Sequence, residues 1–125
     1  MVKYVEWNGI KYVNTTPHSI SFRDPDTGEE FTVPPCGILV NARPVEVPAG
    51  ERSGVKLVRT VFEADDASLA ELDAVEKSVP GAVIIGSIIA AQAYPGRVVA
   101  MTPCPGHERV APDQKRMNPF KFTVY

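Results

Sequence analysis

The chain has few of the residues that most often mark an obvious site or a special class of protein. It contains two cysteines, two histidines and one tryptophan in 125 residues. Two cysteines form at most one bridge, which excludes the small disulfide-rich domains. The longest apolar run, Ala82 to Ala91, is too short for a membrane span of about 20 residues. No secretory segment is recognisable at the start, and we therefore expect an intracellular protein without membrane contact.

An excess of basic residues is also absent, because the net charge is −2 at pH 7. General nucleic-acid binders are strongly basic, so nucleic acid is not an expected partner. The charge is nevertheless uneven. Residues 63–96 hold six acids and one base, whereas residues 97–125 hold five bases and two acids. This basic tail leaves contact with phosphate open as a weaker alternative.

Proline, in contrast, is abundant, with 12 residues placed mostly where turns are predicted. Proline in turns lowers the entropy of the unfolded chain and is common in proteins from hot environments. A hydrophobic content of 44% is ordinary for a globular protein. We expect one domain over residues 1–125.

Hairpin signals dominate the first third of the chain. Residues 4–7 and 10–13 flank Asn8-Gly9, the pair that a type I′ turn prefers. Residues 19–23 and 30–33 alternate on either side of a turn that contains Asp24 and Gly28. A further strand is predicted at residues 38–40, and Pro48-Ala49-Gly50 is predicted to turn the chain.

The segment from Val83 to Tyr94 is the most informative. It begins as a β-branched run, typical of a strand buried on both faces, and continues as an alanine-rich helix. Ser87 lies at the junction, where its hydroxyl would cap the helix. The carboxyl ends of such strands are the usual ligand sites of α/β folds.

The other elements complete an α/β prediction, with α+β as the alternative. Residues 55–62 predict a central strand, and residues 65–78 a helix in which Ser68 and Glu71 form a capping box. Residues 97–101 predict another strand, and residues 120–124 an edge strand. We expect a mixed sheet of six to eight strands with two helices.

A polar cluster, Asn14-Thr15-Thr16-Pro17-His18, follows a predicted strand. In a functional interpretation His18 acts as a general base or ligand contact, while Thr15 and Thr16 bind an anion. In a structural interpretation Asn14 forms a turn, Thr16-Pro17 is a rigid bend, and His18 bonds a backbone group.

Two further residues are candidates at predicted strand ends. Arg59 would present a guanidinium to a carboxylate or phosphate, or would pair with an acid of the following helix. Ser87 is a possible nucleophile, but Ile85-Gly86-Ser87-Ile88-Ile89 does not match Gly-x-Ser-x-Gly, which favours a helix cap. The candidate ligand-binding set is Asn14, Thr16, His18, Arg59 and Ser87.

Cysteine and histidine allow three interpretations. Cys104 and His107 have a spacing seen in zinc half-sites, which Cys36 and His18 would complete. The cysteines would otherwise form a disulfide or remain free. No nucleotide-binding glycine motif occurs, and we expect neither a cofactor nor a metal.

Several of these segments together resemble a group of small proteins encoded by phages and other prokaryotic viruses. The resemblance rests on Asn14-x-Thr16-Pro17-His18, Pro34-Pro35-x-Gly37, Val58-Arg59-Thr60-x-Phe62 and Ser87-x-x-x-Ala91-Gln92-Ala93. It implies a viral origin and no particular reaction.

Two functions follow as hypotheses. The first is a viral accessory protein of the host cytoplasm or virion, homo-oligomeric, which contacts viral or host proteins through its hairpin edges. The second is a small enzyme or a nucleotide- or anion-binding protein with its site at the strand ends.

Overall fold

The chain forms a curled seven-stranded sheet, a separate two-stranded ribbon and two α-helices. The structure, a computed structural model, describes residues 2–125. The predicted mixed sheet of six to eight strands with two helices is confirmed. The elements are β1 Val5–Trp7, β2 Ile10–Asn14, β3 Ile20–Arg23, β4 Glu30–Val33, β5 Ala42–Arg52, β6 Val55–Ala64, α1 Asp66–Ser78, β7 Val83–Gly86, α2 Ile88–Ala93, β8 Val99–Pro103 and β9 Met117–Thr123, with a short 3₁₀ helix, Pro112–Gln114, before β9.

The large sheet has the strand order β1-β2-β7-β8-β9-β3-β4. Strand β7 is parallel to both β2 and β8, as expected for a strand that continues into a helix. The chain after β4 returns to β2, where Pro35 pairs with Asn14 and the Cys36 N–H donates to the Asn14 carbonyl at 2.8 Å. The sheet therefore curls until its far end meets β2.

The two predicted hairpins at the start of the chain are confirmed. Asn8 and Gly9 have φ values of 53° and 76°, which the type I′ turn between β1 and β2 requires. Between β3 and β4, the Asp24 carboxylate accepts hydrogen bonds from the N–H groups of Asp26 and Thr27. Local backbone chemistry therefore determines both turns.

Strand β7 is buried on both faces, as its β-branched run predicts. Ile84 packs with Leu72 and Val75 of α1 in an apolar cluster, which we call the helix-side cluster. Ile85 points the other way, into a second cluster with Tyr12 and other side chains inside the curl. The sheet therefore has one face under the helices and one face folded onto itself.

Aromatic side chains fill the inside of the curl around Tyr12. Its ring lies 5.5 Å from those of Phe22 and Phe31 and 6.3 Å from that of Phe122, measured between centroids. Its hydroxyl donates to the Pro119 carbonyl at 2.7 Å. Burial raises the pKa of Tyr12 to about 12, because the phenolate would lose its hydration there.

Helix α1 begins one residue after its predicted start and is capped differently. The Asp65 carboxylate accepts from the Ala67 N–H at 2.8 Å and is the N-cap. Ser68, predicted to be the cap, instead lies buried within the helix, where its hydroxyl accepts from the Asn41 N–H at 2.9 Å. The capping-box prediction is wrong because an acceptor three residues earlier reaches the helix end first.

Two strand predictions are wrong about position. Residues 55–62 belong to β6, which pairs only with β5 in the ribbon and is not a central strand. Residues 120–124 were expected at an edge, but β9 lies inside the sheet between β8 and β3. Alternation of side chains along one strand does not reveal which neighbour completes its hydrogen bonds.

Two local predictions between β4 and β6 are also wrong. Residues 38–40 form no strand, and Ile38 and Val40 instead pack against the helix-side cluster. Pro48-Ala49-Gly50 does not reverse the chain but forms a bulge within β5. The turn lies further on, at Ser53 and Gly54, which both have positive φ angles of the kind a tight hairpin needs.

Candidate functional site

Asn14 ends strand β2 and holds the loop that follows it. Its fully buried amide nitrogen donates to the carbonyls of His18 at 2.7 Å and Val33 at 3.0 Å. Its amide oxygen accepts from the N–H of Thr16 at 2.9 Å and from the Thr16 hydroxyl at 2.6 Å. Because losing any of these bonds would leave a buried polar group unpaired, the network fixes the loop in one conformation.

A cavity of about 400 Å³ lies beside this loop. Thr16, Pro17 and His18 line one part of it, and Ser87 lines another. Of the five predicted ligand-binding residues, three therefore meet at one concave surface, and Asn14 supports the loop that carries two of them. The cavity volume falls within the range of roughly 300–1,000 Å³ that small-molecule sites occupy.

Internal hydrogen bonds occupy the two threonine hydroxyls of the loop. The buried Thr15 hydroxyl donates to the Ile85 carbonyl at 2.7 Å. The Thr16 hydroxyl lies 2.6 Å from the Asn14 amide oxygen and 3.0 Å from the His18 carbonyl, and its single proton serves one of them at a time. The anion-binding role predicted for Thr15 is therefore wrong. Thr16 offers the cavity a lone pair rather than a proton.

Ser87 is the N-cap of α2, as the sequence predicts. Its hydroxyl oxygen accepts from the Ala90 N–H at 3.1 Å, so its own proton is free to donate to a ligand. Within residues 2–125, no basic side chain hydrogen-bonds this hydroxyl, although a serine nucleophile needs such a partner. The geometry therefore favours Ser87 as a hydrogen-bond donor at the cavity wall.

Arg59 is not part of the cavity. It lies midway along β6, opposite Val47 of β5, and its side chain is exposed. Its predicted position at the carboxyl end of the main sheet is wrong, because the strand that carries it belongs to the ribbon. Pairing with an acid of the following helix does not occur either: of the described residues, only Arg43 and Glu63 form a salt bridge in this part of the fold.

The sequence did not predict the residues at the floor of the cavity or the one lysine at its rim. Ile20, Met101 and Met117 come from β3, β8 and β9 and form an apolar surface. Lys115 lies just before β9 and lines the same cavity. The only sequence signal for Lys115 is its membership of the basic tail, and nothing in the sequence points to the methionines.

The two cysteines are free, and both are buried. Cys36 belongs to the helix-side cluster, whereas the Cys104 thiol donates to the Arg23 carbonyl at 2.9 Å on another part of the sheet. The His107 N–H donates to the Cys104 carbonyl at 2.9 Å, so the Cys-x-x-His spacing is that of a tight turn. No group of three potential metal ligands forms within residues 2–125.

Strands β5 and β6, residues 42–64, form a long hairpin outside the curled sheet, which we call the arm. Their register places alternate side chains of both strands on one surface, the basic–aliphatic face. Val47 and Val55 on this face remain 39% and 59% exposed. The face consists of Val45, Val47, Arg52, Val55, Leu57, Arg59 and Val61, with the Arg43–Glu63 pair at the base of the arm.

A polar recess of about 270 Å³ lies at the base of the arm. It is lined by Arg43, Ala64, Asp65 and Asp66. Arg43 is already paired with Glu63 at 2.8 Å, and one carboxylate oxygen of Asp65 caps α1. The exposed Asp66 and the second Asp65 oxygen remain able to accept a cation.

Exposed apolar side chains also lie on α2 and on the segment that leads to β5. Leu39, Ile88 and Ile89 are 47%, 59% and 44% exposed. Tyr94, at the end of α2, accepts a hydrogen bond from the Asp65 N–H at 2.9 Å, which joins α2 to the start of α1. Helix α2, which carries Ile88 and Ile89, contacts both strands of the arm.

Comparisons with known proteins give no family, curated relative or solved structure that matches this chain. Over residues 2–125, none of the helices has the length and apolar character needed to cross a membrane.

Proposed function

We propose that this protein is a homo-oligomer that acts through protein–protein contacts made by the arm. The observation that carries the proposal is the exposure of Val47 and Val55 on the basic–aliphatic face, whose other three aliphatic side chains are half-buried. Within the described residues α2 packs against the arm, yet Val47 and Val55 stay exposed. A two-stranded ribbon with little packing is only marginally stable in water. A partner that covers this face would therefore stabilise the arm.

The contact uses a face of the arm rather than the edge of β5. Pro44 and Pro48 lie on β5, and neither has an N–H group to offer a new strand. The bulge after Pro48 interrupts the same edge. Prolines and bulges are common devices against pairing at exposed edges. The hairpin-edge contact expected from the sequence is thus disfavoured for β5, whereas the aliphatic face stays open.

Charge complementarity supports a second copy of this chain as the partner. Arg52 and Lys56 near the tip and Arg59 midway form no salt bridge within the described part of the chain. The recess at the base of the arm has Asp65 and Asp66 in its lining. Glu51 lies opposite Lys56 at the tip, so the tip keeps one excess positive charge, with Arg52 on the basic–aliphatic face. This positive tip and the acidic base complement each other between two copies.

A two-fold arrangement satisfies both ends of the arm at once. Strand β6 extends over about 30 Å at about 3.3 Å per residue. Two arms that lie antiparallel therefore place the tip of each at the base of the other. Arg52 of one copy would then enter the acidic recess of its partner, and the aliphatic side chains would cover Leu39, Ile88 and Ile89. Closed two-fold dimers are the commonest homo-oligomers.

The resemblance to proteins of prokaryotic viruses supports a viral accessory role for this dimer. A viral or host protein in the host cytoplasm would be its further partner, and assembly into the virion is the alternative. The net charge of −2 supports protein rather than nucleic acid as that partner.

Light scattering coupled to gel filtration tests the dimer. We expect the unmodified protein to elute with twice the monomer mass. Val47→Asp with Val55→Asp should shift it to monomer, because both aspartates would be buried in the contact. The matched control is Val124→Asp, the same change at a valine that is 63% exposed beyond β9. A monomeric unmodified protein, or equal effects of arm and control variants, would contradict the proposal.

Charge reversal tests the tip-to-base arrangement. Arg52→Glu and Asp66→Arg should each weaken the dimer by roughly tenfold, since each places like charges together. Combined in one chain, they restore opposite charges and should recover most of the affinity. A double variant as weak as the single ones would refute this geometry. If the arm variants instead lose retention on a nucleic-acid column while the unmodified protein is monomeric, the partner is nucleic acid.

A further inference from the structure

We infer that the cavity between the Thr16–His18 loop and Ser87 binds a small organic anion with an apolar body. The site is separate from the arm, and its lining includes no residue of the arm. The inference therefore goes beyond the proposed dimer and does not depend on it. It rests on the shape of the cavity, on the chemistry of its floor and on the charge of its rim.

The floor selects an apolar group. Ile20, Met101 and Met117 converge from three strands of the curled sheet, and Pro17 and Pro112 add apolar walls. Methionine side chains adapt to flat or irregular ligands and contact aromatic rings favourably. A hydrocarbon or aromatic body would release water from this surface on binding.

The rim selects negative charge. Among the described residues that line the cavity, Lys115 is the only lysine or arginine, and none carries a carboxylate. In the described structure Lys115 forms no salt bridge, so its ammonium is available to a ligand. A carboxylate, phosphate or sulfonate beside it would gain a charge-assisted hydrogen bond.

Neutral donors complete the rim. Ser19, Ser21 and Ser87, each with a hydroxyl group, line the cavity together with His18. Ser87 is held by its hydrogen bond to the Ala90 N–H, yet its own proton remains free. Several donors around one ammonium are suited to the oxygens of an anionic group.

The loop that carries His18 needs little reorganisation to bind. The His18 carbonyl accepts from the Asn14 amide at 2.7 Å and lies 3.0 Å from the Thr16 hydroxyl, so its backbone is fixed in place. Pro17 further limits the conformations of this segment. A preformed rim lowers the entropic cost of binding.

Two dyes that share a ring system test the charge preference. Anilinonaphthalene sulfonate carries the anionic group, and phenylnaphthylamine lacks it. We expect the sulfonate to bind at one molecule per chain, measured by fluorescence titration. Lys115→Met should lower the affinity for the sulfonate dye by roughly tenfold, which is the usual loss when a hydrogen bond to a charged group is removed. The neutral dye should bind Lys115→Met as well as it binds the unmodified protein.

Lys121→Met is the matched control, since Lys121 is an exposed lysine on β9 outside the cavity lining. It should change neither dye by more than about twofold, because it removes only a distant, screened charge. If Lys115→Met lowered the affinities for both dyes equally, the cause would be a changed cavity shape rather than the lost charge, and this result would overturn the inference. So would an unchanged affinity for the sulfonate.

Two further measurements locate the dye. Methionine-methyl NMR spectra should show the signals of Met101 and Met117 shifting when the dye saturates the protein. The variants Met101→Leu and Met117→Leu assign these two signals. The arm variant Val47→Asp with Val55→Asp should keep its sulfonate affinity, whatever its oligomeric state. Loss of binding in that variant would place the dye on the arm and refute the cavity as the site.

Competition identifies the anionic group. Phenylacetate and phenyl phosphate should each displace the sulfonate dye, and the more effective one indicates a carboxylate or a phosphate ligand. Benzyl alcohol, which has the ring without the charge, should displace it poorly. Equal displacement by all three would refute the preference for an anion.

Discussion

Replacing Gly86 by alanine should destabilise the fold, although alanine is usually the better residue in a strand. A Cβ atom at position 86 would lie 2.5 Å from Cγ1 of Val98 and 3.2 Å from the Ala90 Cβ. Val98 is fully buried and β-branched, so it cannot rotate away freely. Gly86 does not have a positive φ, and the penalty is therefore steric rather than conformational.

The expected cost follows from overpacking, which is typically about 1–3 kcal/mol in a dense interior. Alanine would gain roughly 0.5–1 kcal/mol over glycine from its lower backbone entropy in the unfolded chain. We therefore expect Gly86→Ala to lower the free energy of unfolding by about 1 kcal/mol, within a range of roughly 0–2.5 kcal/mol. Without the contact to Val98, the same substitution would raise the free energy of unfolding.

Val98→Ala is the second substitution of a double-mutant cycle with Gly86→Ala. Alone it should cost about 2 kcal/mol, because two buried methyl groups are lost and a small cavity remains. In the double variant the new methyl group of residue 86 occupies part of that space. The double variant should therefore be destabilised less than the sum of the two single variants, by at least about 1 kcal/mol. Independent sites deviate from additivity by only about 0.5 kcal/mol.

Urea unfolding at one fixed protein concentration measures these energies. Trp7 is the single tryptophan and stacks on Phe31 with centroids 4.6 Å apart, so its fluorescence reports the curled sheet. Far-ultraviolet circular dichroism gives an independent probe of the same transition. A Gly86→Ala protein more stable than the unmodified one, or strictly additive costs, would refute the packing argument.

Two further predictions follow from buried groups. The pKa of Tyr12 is raised from 10.0 to about 12, so its contribution to stability is present below pH 10 and is lost as the pH rises to about 12. Urea unfolding at a series of pH values should show this loss as a fall of about 2 kcal/mol in the free energy of unfolding, and Tyr12→Phe should remove it. The same fall in Tyr12→Phe would contradict the assignment to Tyr12. Cys36 and Cys104 are free and buried, and burial raises the pKa of the Cys104 thiol. Neither thiol should therefore react with a disulfide reagent in the native protein, and both should react after unfolding. Mass spectrometry measures the labelling, and rapid labelling of the native protein would show that these thiols are accessible.

Local chemistry explains why the central strand–helix unit could be predicted. The run ending at Ile85 has no polar residue to face water, and Ser87 supplies the acceptor that α2 needs at its start. Asn8 and Gly9 likewise fit the turn between β1 and β2. In each case the decisive free energy arises between residues that are close in sequence.

The cavity was predictable only in part. Thr16, His18 and Ser87 follow predicted strands, and parallel pairing of β2 with β7 brings those strand ends together. Lys115 and Met117 line the same cavity because β9 pairs between β8 and β3. No local pattern specifies that pairing, so these two residues could not have been assigned to the site.

The sequence by itself determined the α/β class, the hairpin turns, the buried strand β7 and the cap of α2. Only the tertiary structure decided that β9 lies inside the sheet, that Arg59 belongs to the arm, and that Lys115 joins the cavity. Turns and caps depend on backbone geometry and hydrogen bonds within a few residues. Strand order depends instead on contacts between distant segments, whose free energies are settled only when the whole sheet assembles.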